Sequence, residues 1–219
     1  MADSGIIILG GNAFSSLMRC YLENEGTAQV VAYSAEAKYI STPEFDGLPL
    51  VPLEDLPKLY PASRYHLLNS IGYVQMNGVR ERLFHQCKAL GYSFATFIHP
   101  SAVVNSAIGE GSIVLENSII GYRNKIGCCC ILYSGVNISH DCQVGDFTYW
   151  GPGAIACGNV SIGDRCFIGA GAVLRNRIHI AEQCLVGAGV YMNRSVDEPC
   201  SVYHAPYPER LNKKSNEVF

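Results

Sequence analysis

Every sixth residue from Ile108 to Met192 is apolar, and that period dictates the fold. The series runs Ile108, Val114, Ile120, Ile126, Leu132, Ile138, Val144, Trp150, Ala156, Ile162, Ile168, Leu174, Ile180, Val186, Met192, and twelve of its fifteen members are Ile, Val or Leu. Eight of the residues that directly follow are glycine: Gly109, Gly121, Gly127, Gly145, Gly151, Gly163, Gly169 and Gly187. Two residues before the aliphatic the side chain is usually small, as at Ser106, Ser112, Ser118, Cys130, Cys142, Ala154, Cys166, Ala172 and Cys184. One period held for this many cycles is the signature of a hexapeptide β-helix. An α-helix is excluded, because its apolar residues recur every 3.6 positions and not every six.

Six residues make one short strand and one corner, so three units close a triangular coil of 18 residues. The aliphatic and the small residue two before it both point into the prism. Glycine after the aliphatic is expected to supply backbone conformations that other residues adopt at a cost. Coils stack like neighbouring strands, about 4.8 Å apart. Fifteen repeats therefore predict about five coils around a nearly one-dimensional core. Trp150 is oversized for its slot; its ring is expected to turn outward or to distort a corner.

Residues 1–96 follow another rule. Gly5-Ile6-Ile7-Ile8-Leu9 reads as a buried strand, followed by a turn at Gly10-Gly11-Asn12 and a helix from Phe14 to Asn24. A second strand spans Gln29–Tyr33, a loop contains Gly47-Leu48-Pro49-Leu50, and a short helix lies near Leu53 to Leu59. Tyr65–Ser70 is a third strand and Gly78–Leu90 an amphipathic helix. Strands alternating with helices predict a small Rossmann-like parallel α/β domain. The expected division is therefore 1–96 α/β, 97–195 β-helix, and 196–219 a tail containing Pro and Lys.

The dinucleotide fingerprint requires GxGxxG and an acid after the second strand. The turn reads Gly10-Gly11-Asn12-Ala13-Phe14-Ser15 and the second strand ends Tyr33-Ser34-Ala35, so nicotinamide chemistry is not expected. A phosphate or ribose could still sit at the helix N-terminus, where free amides favour anions. A net charge of −3 argues against a nucleic-acid partner. No apolar run is long enough for a membrane span, and the first ten residues lack the pattern of a signal peptide, so a cytoplasmic protein is expected. Of ten cysteines, Cys130, Cys142, Cys166 and Cys184 occupy inward slots, where a thiol behaves as a small hydrophobe. The run Cys128-Cys129-Cys130 lacks the spacing of a zinc site. No metal is expected.

A small α/β domain, then Ile98-His99-Pro100-Ser101-Ala102, then a hexapeptide prism containing Asn137-Ile138-Ser139-His140-Asp141-Cys142, resembles the PglD/NeuD-like sugar acyltransferases of the left-handed β-helix superfamily. The resemblance covers nearly the whole chain. It implies a left-handed prism, a homotrimer with sites between subunits, acetyl-CoA as co-substrate, and N-acetylation of a nucleotide-linked amino-deoxy sugar. The family's catalytic His falls on His140, with Asp141 as its acidic neighbour. Imidazole titrates near neutrality and suits a general base, and a carboxylate on its other nitrogen fixes the tautomer. His140 is two residues past the inward Ile138, which puts it outside the prism. One coil later, 140 + 18 gives Gly158, whose amide matches the family's donor to the thioester oxygen.

Tyr149 stands where several relatives carry a second His near the acetyl donor. Arg175, Arg177 and Arg194, with Asn176, are candidates for holding coenzyme A. Substrate contacts implied by the resemblance fall on Gly10, Asn12, Ala13, Phe14, Ser34, Ser70, Gly72 and Arg80. O-acetylation of a sialic-type sugar and a non-catalytic scaffold are the competing readings. A zinc-dependent carbonic anhydrase would need three imidazoles converging across coils, and the positions 18 before and after His140 are Tyr122 and Gly158.

Overall fold

The first strand is apolar throughout because both of its faces are covered, as a central parallel strand requires. In the computed structural model, which describes residues 5–26 and 28–206, β1 (Gly5–Leu9) is buried along its whole length. It pairs in parallel with β2 (Val30–Ala35) on one side and with the later strand Tyr65–Asn69 on the other. Leu48–Pro52, expected as loop, is also a strand: it runs parallel to β2 and forms a hairpin with Glu44–Phe45. Numbering these β3 (Glu44–Phe45), β4 (Leu48–Pro52) and β5 (Tyr65–Asn69), the sheet order is β3-β4-β2-β1-β5. Pro49 and Pro52 hid β4 in the sequence. They are tolerated because β4's outer neighbour is only two residues long, so few ladder donors are needed there. Helix α1 (Ala13–Asn24) follows β1, α2 (Leu56–Leu59) continues a 3₁₀ turn, and α3 (Gly78–Ala89) precedes the prism.

The prism is a left-handed β-helix with three faces. The first face has seven strands from Phe97–Ile98 to Val202–Tyr203, the second six from Val103–Val104 to Tyr191–Met192, and the third five from Ala107–Ile108 to His179–Ile180. From residue 107 to residue 192 partners are 18 residues apart, as in Ile120, Ile138, Ala156, Leu174 and Met192, and at the two ends of the prism the spacing is 16 or 17. The described part of the tail stays on the prism, off the 18-residue spacing: Val196 bridges to Ile180, and Val202–Tyr203 adds a strand to the first face. Residues 207–219, including the tail's lysines Lys213 and Lys214, lie outside the described residues.

Two expectations are corrected inside the prism. The glycines after the aliphatics are not the left-handed residues. A Cβ at Gly121 would lie 2.2 Å from Ser139 O, and one at Gly169 would lie 2.4 Å from Ala188 N. Close approach of the next coil is what excludes side chains there. The left-handed residue comes three after the aliphatic, from Gly111 and Asn117 through Arg123, Cys129, Gly135 and Asp141 to Gly189. Trp150 neither turns outward nor distorts a corner; it is fully buried in the core, and its Nε1 donates to Thr148 Oγ1 at 3.1 Å. Its coil also contains Ala156, the smallest residue of the every-sixth series and part of the same buried core, which leaves room for the ring.

The α/β domain covers the first face. Outward-pointing Phe97, Ile113, Ile131 and Tyr149 share one core with Ile6, Ile8, Met18 and Leu68. Helix α3 fastens the edge between the third and first faces. Asn77 Nδ2 donates to Arg165 O and Cys166 O. Arg80, with no exposed surface, donates to Cys129 O, Phe147 O and Thr148 O of the prism and to Ile71 O and Gly72 O of the loop after β5. Burial pulls its guanidinium down to about 10.

Candidate active site

The edge between the second and third faces is open, and the 18-residue register stacks Tyr122, His140, Gly158, Asn176 and Arg194 along it in one column. The turn that carries His140 is pinned from both neighbouring coils. Asp141 N donates to Tyr122 O at 3.1 Å, Asn159 N to His140 O at 2.9 Å, and Cys142 N to Asn124 Oδ1 at 2.7 Å. The main chain under the imidazole is therefore fixed while the ring itself is 55% exposed.

His140 Nδ1 lies 2.7 Å from Asp141 Oδ2. Asp141 is gripped from the other side by Arg123, whose Nε reaches Oδ1 at 2.6 Å and whose Nη2 reaches Oδ2 at 2.7 Å. Arg123 first, and His140 second, hold the Asp141 carboxyl well below the usual carboxylate range. A carboxylate that stays ionised keeps the proton of a neutral imidazole on Nδ1 and leaves Nε2 as the acceptor. The ring then lies against Gly158: a Cβ added there would be 2.6 Å from both Cε1 and Nε2 of His140. Only glycine gives the imidazole this seat. The Gly158 amide makes no backbone hydrogen bond among the described residues, so a donor and an acceptor stand side by side, as acyl transfer requires. Cys142 beside them is fully buried with its thiol inside the prism.

Other sequence-derived candidates divide. Arg175, Asn176, Arg177 and Arg194 are all exposed on the same edge, in the coils beyond Gly158. The column ends in an open groove of about 410 Å³ lined by Tyr191, Met192, Arg194, Tyr203 and His204. Tyr149 is not on this edge. It belongs to the first face, 9% exposed, stacked on Phe167 with centroids 4.9 Å apart and touching Tyr73 and Tyr133. It seals the seam between the domains, because an outward residue of the first face meets the α/β domain.

Within the α/β domain the candidates form two groups. Gly10 (φ +131°) sits where a Cβ would collide with Ser15 Oγ and Ser70 Oγ. Ser70 is buried and donates to Leu9 O, so its hydroxyl proton is already used inside the domain. Asn12 caps α1, accepting from Phe14 N at 2.9 Å and Ser15 N at 3.1 Å, and so uses two amides expected to be free for an anion. Ala13 is exposed beside it, and Phe14 stacks on Tyr133 of the prism. Arg80 is corrected as well: a fully buried guanidinium that spends its donors on five backbone carbonyls cannot meet substrate. Ser34 lines a small apolar pocket with Leu9, Glu36, Leu53, Ile71 and Leu83, and its buried hydroxyl has no partner. Gly72 follows Ile71 in the loop at that pocket's wall.

Two residues escaped the sequence reading. Glu36 is the acid that follows β2, hidden because β2 runs to Ala35. Arg123 is found by the same arithmetic that gives Gly158, since 141 − 18 = 123.

Family models for "Bacterial transferase hexapeptide (six repeats)" and "Hexapeptide repeat of succinyl-transferase" match residues 141–176 and 159–194. Among solved structures, PerB from Caulobacter crescentus, in complex with CoA and GDP-perosamine, is 31% identical over 92% of this chain and 94% of its own, with a TM-score of 0.80. The chain belongs to the sugar N-acetyltransferases of the left-handed β-helix superfamily. WeeI from Acinetobacter baumannii AYE (25% identity, 90% and 93% covered, TM-score 0.77) is similar to this acetyltransferase over the same span. The acetyltransferase domain of PglB from Neisseria gonorrhoeae FA1090, with acetyl coenzyme A, shares its fold (22% identity, 90% and 94% covered, TM-score 0.78). This acetyltransferase thus has the fold and enzyme class that its repeat implies.

Proposed function

We propose that this acetyltransferase moves the acetyl group of acetyl-CoA to the amine of a nucleotide-linked amino-deoxy sugar, with His140 as general base. The observation that carries this is the imidazole seated on Gly158, its Nδ1 on Asp141 and its Nε2 open. Acetyl-CoA would supply the acetyl group as a thioester, with coenzyme A as the leaving thiol. His140 Nε2 accepts the proton that the attacking amine must lose, and Asp141 stabilises the resulting imidazolium. The Gly158 N–H donates to the oxygen on which charge develops. Arg194 lines the groove where the phosphates of coenzyme A would lie, and Arg175, Asn176 and Arg177 are exposed on the same edge one coil earlier.

The small apolar pocket beside Ser34 and Glu36 is where we place the edge of the nucleoside base: it offers the unpartnered Ser34 hydroxyl, and the Glu36 carboxylate, held by Arg82, stands at its rim. GDP-perosamine, the sugar nucleotide bound by the Caulobacter relative, is a model for this class of acceptor. The same relative is a perosamine N-acetyltransferase, which favours an amine acceptor over a hydroxyl.

A homotrimer completes the reading. The second face presents an apolar stripe outward, with Val103 53%, Ile119 45% and Tyr191 61% exposed, and the His140 edge borders it. Packing such stripes around a three-fold axis would bury them and put His140 between subunits. We place the reaction in the cytoplasm: no helix among the described residues is long and apolar enough to cross a membrane, and all ten cysteines are free thiols, as a reducing compartment keeps them.

The test is thiol release from acetyl-CoA against UDP-, dTDP- and GDP-linked amino sugars and sialic acid, with wild type and His140→Asn in parallel. One amino sugar should drive release, and His140→Asn should lower kcat by about 10²-fold. A hydroxyl acceptor alone, or full activity in His140→Asn, would overturn the proposal.

A further inference from the structure

Asp141 occupies a left-handed turn position (φ 59°) and its carboxylate is about one-third exposed. A lone aspartate in such a place has several rotamers open to it and water to solvate each of them. Here it has one orientation, and the cause lies a full coil earlier. Arg123 is Asp141's counterpart in the preceding turn, with the same left-handed backbone (φ 58°), so both side chains leave the edge from equivalent points. The guanidinium fork meets the carboxylate in bidentate fashion, Nε on Oδ1 and Nη2 on Oδ2. Two parallel bonds fix the plane of the carboxylate as well as its position. In that plane Oδ2 also receives His140 Nδ1 at 2.7 Å.

We propose that Arg123 is a positioning residue of the transfer site: it locks the Asp141 carboxylate so that His140 keeps its proton on Nδ1 and turns Nε2 to the acceptor. This rests on the reading of His140 as general base. Arg123 touches neither the imidazole nor the Gly158 seat; it acts through Asp141. Lysine replaces it only in part, because a point charge keeps the attraction but carries no fork to fix the plane of the carboxylate. A surface ion pair of this kind contributes little to stability, so the role sought is orientation and not folding.

The experiment is ¹⁵N-histidine NMR of the full-length protein together with steady-state kinetics, on wild type, Arg123→Met and Arg123→Lys. Wild type should show His140 as a single Nδ1–H tautomer. Arg123→Met, which keeps the aliphatic stem, should show mixed tautomers. Its kcat should fall by roughly ten- to a hundredfold, the range expected when a reacting group loses its orientation. Both KM values and Tm should stay near wild type, and Arg123→Lys should fall between. A drop in kcat with the tautomer unchanged, or no change in either, overturns the proposal. Mixed tautomers with wild-type kcat would keep Arg123 as the positioner and remove His140 from the base role, so the two readings fail separately.

Discussion

Two edges of the prism are built alike and have opposite fates. On the edge between the third and first faces, the left-handed turn residues Cys129, Phe147 and Arg165 lie under α3, and the turn carbonyls of residues 129, 147 and 148 are consumed by Arg80. On the edge between the second and third faces, Arg123, Asp141 and Asn159 fill the same positions and no helix covers them. The backbone repeats every 18 residues, so it gives each edge the same slots. What differs is the cover. Under a domain a slot is bound by packing and hydrogen-bond satisfaction; in the open it is free to hold groups whose purpose is contact with something else.

The largest test of this contrast is Arg80→Met. It takes the donor from Cys129 O, Phe147 O, Ile71 O and Gly72 O, while Thr148 O keeps the Ile131 amide, and it should cost about 3–5 kcal/mol in urea-induced unfolding. A loss below about 1 kcal/mol would mean that the covered edge is not held by this residue. Paired glycines sharpen the comparison next. At Gly163, on the covered edge, a new Cβ would meet the Glu182 backbone N at 2.5 Å, and backbone cannot step aside. Gly163→Ala should therefore lower stability by roughly 2–3 kcal/mol. At Gly158 the obstacle is the tip of an exposed ring. Gly158→Ala should leave Tm nearly unchanged and lower kcat by about 10²-fold through displacement of His140. If the two substitutions behaved alike, the edges would not be functionally distinct.

A smaller effect concerns pH. Asp141 is held below its ordinary 3.8 by Arg123 and then His140. A depressed carboxylate contributes above its unfolded value and loses that contribution as pH falls through the folded one. The His140–Asp141 contact should thus persist across the neutral and mildly acid range, and Arg123→Met should move the carboxyl's titration upward toward 3.8 in a ¹³C NMR titration. The smallest expected change is Gln183→Gly. This turn residue has φ 56°, and glycine should raise stability by about 0.5 kcal/mol, the left-handed penalty less glycine's own entropy cost.

The prism and the column around His140 were legible in the sequence because a fixed period converts position along the chain into position in space. Adding 18 to 140 places Gly158 without any structure, and subtracting it from 141 would have placed Arg123. The period says nothing about which face a second domain covers, so it did not show that Tyr149 meets the α/β domain. Arg80 left a trace of its own: it shares a helix face with Leu83, Phe84 and Cys87, all buried, at the spacing of an inward stripe. Its charge argued for a surface, and five carbonyls overrode the argument. In the α/β domain, Pro49 and Pro52 concealed β4, and an underestimated β2 concealed Glu36.

The coil that holds Trp150 also holds Ala156, and that shared rung constrains ancestry. A larger residue at 156 would have no room while the indole is in place, and a smaller one at 150 would leave a hole. Neither position can drift alone without passing through a less stable intermediate, so the pair should be inherited together, tracked across descendants as one character written at two sites.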